Sequence, residues 1–205
     1  MITPGAFFMR VVVLILSLMI LSACAGRPDL ADEKLSQRDF ELEEFFDGHV
    51  VGYGQFQDRF GTVRRRFEVQ VAGDWDGEVL TLTEDFVYED ASTERRVWTL
   101  TKTGAETWEG SAPGVIGQAS GEERGDAFNW QYTIDLPVPD GTLRVSFDDW
   151  MWQVSEDRVL NRAYMDKYGV EVGEVIIWFE KRGEGRSGAA RRCLRHLDSA
   201  HWSCT

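Results

Sequence analysis

Four short stretches of this chain each carry one charged side chain in a register otherwise filled by apolar ones. Side chains alternate faces along a β-strand, so Val63, Phe67, Val69 and Val71 share a face with Arg65. By the same alternation Glu84 falls with Leu80, Leu82, Phe86 and Tyr88, and Arg96 with Trp98 and Leu100. Asp149 falls with Leu143, Val145, Phe147 and Met151, whereas Phe128, Trp130, Tyr132, Ile134 and Leu136 form an uninterrupted apolar face. Two arginines stand against two carboxylates, and buried charge is costly unless paired. Arg65, Glu84, Arg96 and Asp149 are therefore candidate polar anchors inside a greasy cavity, able to fix the headgroup of an acyl-chain ligand. The plainer reading is a paired cluster near a rim, simply solvated.

Other chemistries find less support. Asp148 and Asp149 are adjacent, but neighbours on a strand point to opposite faces and cannot act on one substrate atom without a bulge. His49 is the one histidine of the central region and stands at the start of its first strand. A Gly-x-Ser-x-Gly elbow and a glycine-rich phosphate loop are absent, so no catalytic residue and no cofactor is assigned. The C-terminal tail holds Cys193, His196, His201 and Cys204. These ligand types suit zinc, but the spacer between the two pairs is short for a tetrahedral site, and no metal is assigned. A Cys193–Cys204 disulfide is the simpler reading, with free thiols as the alternative.

Cys24 carries the clearest chemical address. Arg10 precedes the apolar run Val11–Leu21, which leads into Leu21-Ser22-Ala23-Cys24. A charged start, a short apolar middle and small residues before a cut describe a secretory leader. Met9 is an alternative start that leaves this pattern intact. Leu21-Ser22-Ala23-Cys24 also resembles a bacterial lipobox, which implies diacylglycerol on the Cys24 thiol, cleavage before Cys24 and a further acyl chain on the new amine. Two or more chains anchor stably where one binds marginally. Ala25, in place of Asp, implies onward sorting to the periplasmic face of the outer membrane in lipoproteins of this class. An ordinary leader whose cleavage site contains Cys is the alternative; an uncleaved span would need roughly 20 apolar residues.

The formal charge is −13 over 205 residues, one unit more negative after a cleavage that removes Arg10. Such an acidic balance argues against nucleic acid or anionic headgroups as surface partners. The expected organisation is a leader at 1–23, a lipidated N-terminus and tether at 24–46, a barrel at 47–182 and a flexible tail at 183–205. Phe40, Leu42, Phe45 and Phe46 suggest one helical turn closing an end of the domain.

From His49 to Arg182 short alternating runs are separated by turn residues: 50–57, 63–73, 79–88, 95–102, pieces around Trp108 and Ile116, then 128–136, 143–154, 159–165 and 175–181. Gly121 to Gly125 reads as a turn. Close, regular spacing with hairpin-length connections predicts an all-β antiparallel meander rather than βαβ units. Roughly eight to ten such strands close into a lipocalin-like up-and-down barrel, which removes exposed edges; a two-sheet β-sandwich is the alternative.

Four runs, Phe56-Gln57-Asp58-Arg59-Phe60-Gly61, Arg95-Arg96-Val97-Trp98-Thr99-Leu100, Phe147-Asp148-Asp149-Trp150-Met151 and Leu160-Asn161-Arg162-Ala163, resemble the DUF3833 family of uncharacterised proteobacterial lipoproteins. The resemblance spans about residues 40 to 182. It implies a lipoprotein with a single β-rich domain and brings no catalytic residues to carry over. The leading expectation is a lipid-anchored envelope barrel that binds or carries a hydrophobic ligand. The competing one is an envelope interaction protein with a solid core, whose exposed Trp150 and Trp152 dock a protein partner. A lipid- or pigment-directed enzyme stands third.

Overall fold

The computed structural model describes residues 26–34, 36, 38–138 and 141–183. Cys24, Cys193, Cys204 and the two tail histidines, together with the expected leader and most of the expected tail, lie outside the described residues. The chain divides into two compact units, Met1–Glu33 and Lys34–Thr205. In the first, Asp29 and Asp32 build a polar turn: the Ala31 amide donates to Asp29 Oδ1 at 2.8 Å, and the Asp29 amide to Asp32 Oδ2 at 2.9 Å.

The second unit begins with one helical turn, α1 (Leu42–Phe46), and continues as ten strands: β1 (Gly48–Asp58), β2 (Val63–Trp75), β3 (Val79–Tyr88), β4 (Thr93–Lys102), β5 (Thr107–Ser111), β6 (Ala119–Arg124), β7 (Ala127–Val138), β8 (Gly141–Ser155), β9 (Arg158–Lys167) and β10 (Val170–Arg182). Each strand pairs antiparallel with its neighbours in sequence, and β1 pairs with β10 from His49↔Arg182 to Asp58↔Gly173, closing the barrel. The sandwich alternative is thereby excluded, and the meander closes without edges.

Polar turn chemistry sets the hairpins. Asp58 Oδ1 accepts from the Phe60 and Thr62 amides at 2.9 and 3.1 Å, and Asp76 Oδ1 from Glu78 and Val79 at 2.9 and 2.7 Å. Both are side-chain mimics of a backbone turn. The expected turn at 121–125 is instead mostly strand β6. A glycine reads as a break, but Gly121 sits opposite Trp130, where a Cβ would stand 2.5 Å from the indole and 2.7 Å from the Phe128 ring. The strand lacks a side chain there because two aromatic rings occupy its place.

The β1–β2, β3–β4, β7–β8 and β9–β10 hairpin tips share one end of the barrel. The opposite end is closed by α1. Phe40, Leu42, Phe45 and Phe46 are all buried, with Phe46 edge-on to Phe179 at 5.5 Å and Phe40 at 6.2 Å from Phe128. The first helical turn leaves backbone N–H groups unpaired. Glu123 Oε1 accepts one of them, from Leu42, at 2.7 Å, while Lys102 bonds Glu43 and lies 3.8 Å from Glu123 Oε2. The plug rests on bare backbone, since the Phe46 carbonyl oxygen lies 1.8 Å from where a Gly73 Cβ would stand.

Candidate functional site

Above the plug the barrel is hollow. A partly open space of about 450 Å³ is bounded by Leu42, Phe46, Phe128 and Phe179 below and by Phe56, Leu136, Val138, Leu143 and Val175 toward the hairpin tips. A volume of this size suits a small ligand or part of a larger one, since ligand sites run about 300–1,000 Å³. Its walls are chiefly aromatic: Trp98 meets Tyr132 edge-on at 5.0 Å, and Tyr132 stacks on Phe147 at 5.1 Å.

Arg65, Glu84, Arg96 and Asp149 all line this space, supplied by β2, β3, β4 and β8. They do not form the two opposite pairs that sign balance suggests. Arg65 lies toward the tips with its side chain 43% exposed. Its guanidinium stands 3.2 Å above the Tyr88 ring centre and donates to Ser92 Oγ at 2.7 Å. Cation–π contact and a hydroxyl hold it closely, and its carboxylate partner is Asp90, at 4.0 Å, rather than Glu84 or Asp149. Arg96, opposite Glu84 in register, donates to Glu94 Oε1 at 2.7 Å, and the Tyr88 hydroxyl donates to Glu94 Oε2 at 2.8 Å. Asp149 is buried and accepts from the Asn161 amide, which also donates to the Trp150 carbonyl at 2.9 Å.

Burial decides the electrostatics. It pushes the Glu84 carboxyl up to about 7, against the pull of Arg96 and with a push from Glu94. It pushes Asp149 up to about 7 as well, against the Asn161 hydrogen bond and with repulsion from Glu84 and Asp148. Glu94 behaves oppositely: burial would raise it, but the charge of Arg96 and the bonds from Tyr88 and Arg96 hold it below the usual glutamate value. Burial and the bond to Glu94 push the Tyr88 phenol up to about 12. The cavity therefore holds two fixed cations, one fixed anion at Glu94, and two acids able to donate or accept hydrogen bonds near neutral pH.

Sequence reasoning missed Glu94, Asn161 and the role of Tyr88. Glu94 was findable, because it shares Arg96's face two residues away; Asn161 stands between Val159 and Ala163 on an inward register in the same way. Asp148 turns to the outer face, where its Oδ1 accepts from Asn129 at 2.8 Å. Trp150 and Trp152 also face outward, but the expected exposed patch does not form. Trp150 is 5% exposed and stacks on Trp152 at 6.1 Å with ring planes 14° apart. His49 is exposed on β1. Among the described residues the cavity lining holds no serine, cysteine, histidine or lysine, and no group of three metal-ligating side chains converges.

Among solved structures the chain is similar to an S-type phycobiliprotein lyase, CPES, from Guillardia theta: TM-score 0.52 and 10% identity, covering 72% of this chain and 94% of that one. At that identity the likeness speaks for the fold. No curated protein matches the sequence. A family model described as "Protein of unknown function (DUF3833)" matches residues 18–181, and the chain belongs to the DUF3833 family.

Proposed function

We propose that this protein is a lipid-anchored envelope lipoprotein whose lipocalin-like barrel binds or carries a hydrophobic ligand with an acyl chain and a polar head. The observation that carries the reading is the apolar cavity of about 450 Å³ with its polar cluster of Arg96, Glu84, Asp149 and Asn161. A solid-core interaction protein would lack such a space, and burial of Trp150 takes away one of the two tryptophans on which that alternative drew. The fold neighbour is named a lyase. For this chain, a chiefly aromatic lining with a few convergent guanidiniums and carboxylates supports holding a ligand that has a polar head.

Native mass spectrometry of the full chain, released from membranes in mild detergent, tests the reading. A non-covalent adduct of defined mass is expected, absent from the denatured spectrum. A bare mass with no uptake from an envelope lipid extract overturns it. Arg96→Met is expected to release the ligand more readily than Arg124→Met, because Arg124 is exposed and pairs with Glu122 on the outer wall at 3.3 Å. Equal retention in the two variants would remove the head-anchoring role.

The anchor has its own test. Cys24→Ser is expected to move the protein from the membrane to the soluble fraction and to abolish incorporation of labelled fatty acid. Unchanged membrane retention of that variant would refute acylation at Cys24.

A further inference from the structure

We propose that the open end of the barrel is a docking surface for a phospholipid bilayer, seated by Phe60 and Tyr168. These are the tips of two neighbouring hairpins, β1–β2 and β9–β10, at the end where the cavity opens. Phe60 is 77% exposed and Tyr168 is 94% exposed, the two most exposed large hydrophobic residues of the described structure. Val170, behind Tyr168, is also exposed.

Three observations point to a membrane rather than to water or a protein groove. Each ring carries a cation: the Arg59 guanidinium lies 4.8 Å from the centre of Phe60, and the Lys167 ammonium 5.6 Å from the centre of Tyr168. Aromatic tips with adjacent long cations suit the bilayer interface, where the ring enters the acyl boundary and the cation reaches the phosphates. The backbone at Tyr168 makes the second point. It is left-handed, with φ 54°, ahead of Gly169 at φ 76°, in a two-residue turn that ordinarily takes Asn, Asp or Gly at its first position. A bulky side chain there is strained, and its exposed ring regains little through packing within the fold. The third is continuity, because Phe56 and Val175, next along these two hairpins, already line the cavity. The apolar lining thus reaches toward the two tips, which shortens the path of a chain from bilayer to barrel.

Because the chain is strongly acidic, attachment comes from apolar insertion. It is expected on zwitterionic phosphatidylcholine vesicles and is expected to persist at high salt. The test is hydrogen exchange, resolved along the sequence, on full-length protein carrying Cys24→Ser, with and without such vesicles. Amides at 58–62 and 167–170 should slow on vesicles, while those at 76–78 and 155–157, at the plugged end, should not. Phe60→Ser with Tyr168→Ser should abolish the slowing and weaken rim attachment by about tenfold for each ring lost. The native circular dichroism spectrum and the cavity's ligand adduct should remain.

Absence of vesicle binding, or equal slowing at both ends, overturns the proposal. So does rim protection that appears without vesicles and grows with protein concentration, which would assign the surface to a second copy of the chain. Because the ligand adduct is read separately, docking can fail while cavity binding stands.

Discussion

Asp149→Asn is expected to stabilise the protein at pH 8 and to leave it nearly unchanged at pH 4. Asp149 is buried, bonded to Asn161, and raised to about 7 in the folded state from an ordinary value of 3.8. A carboxyl whose folded value lies above its unfolded one binds its proton more tightly when folded. The stability this contributes is fully present below about pH 4 and is lost as pH rises through about 7. Glu84 acts in the same sense and window, and the two repel each other when both ionise. The native protein should therefore melt at a lower temperature at pH 8 than at pH 5. Asparagine keeps the acceptor for Asn161 and removes the charge. Displacement from 3.8 to about 7, at 1.36 kcal/mol for each unit, gives a gain at pH 8 on the order of 4 kcal/mol. Thermal melts of both proteins from pH 4 to 8 measure it. Parallel curves for the two would mean that Asp149 is not titrating in the cavity. Adding Glu84→Gln should yield less than the sum of the separate gains, because each charge contributes to the penalty on the other.

Gly73→Ala should unseat the plug. Its new Cβ would stand 1.8 Å from the Phe46 carbonyl oxygen and 2.7 Å from the carbonyl carbon. Both are backbone atoms of α1, so no rotamer change relieves the clash. Either β2 bends or the helical turn lifts, taking Phe46 away from Phe179 and the Leu42 amide away from Glu123. Overpacking of this kind costs about 1–3 kcal/mol, and loss of the aromatic contacts adds to it. For a chain of this size each kcal/mol lowers Tm by about 2–4 °C. The melting temperature should fall by several degrees, whereas Ala72→Ser, one residue away on the exposed face, should change little. Equal melting of the two variants would show that α1 does not bear on Gly73 as described.

The barrel was legible in the sequence because its strands keep strict alternation and its turns are punctuated by Asp and Gly. It failed to show at β6, where Gly121 lies under two rings contributed by β7; a strand recognised by its side chains vanishes when its neighbour supplies them. The lining was legible for a related reason. One charge in an apolar register stands out, and Arg65, Glu84, Arg96 and Asp149 all reach the cavity wall. Their partners were not legible, because pairing depends on the stagger between strands rather than on any one strand. That stagger gives Asp149 an amide and Arg65 an aromatic face. Alternation also placed Trp150 on the outer wall correctly, but a period of two says which way a side chain points and nothing about what lies over it.

The seam between β1 and β10 imposes an order in time. It joins the first and last strands of the barrel, a pairing of large sequence separation that belongs to slow, non-local folding. The plug is synthesised before any strand, yet the partner of Phe46 at its base is Phe179, on β10. The turn that precedes every strand in the chain completes its seat only when the last strand is in place. Without that seam the sheet would have two edges, and the chamber has its full wall only when both end strands are in place.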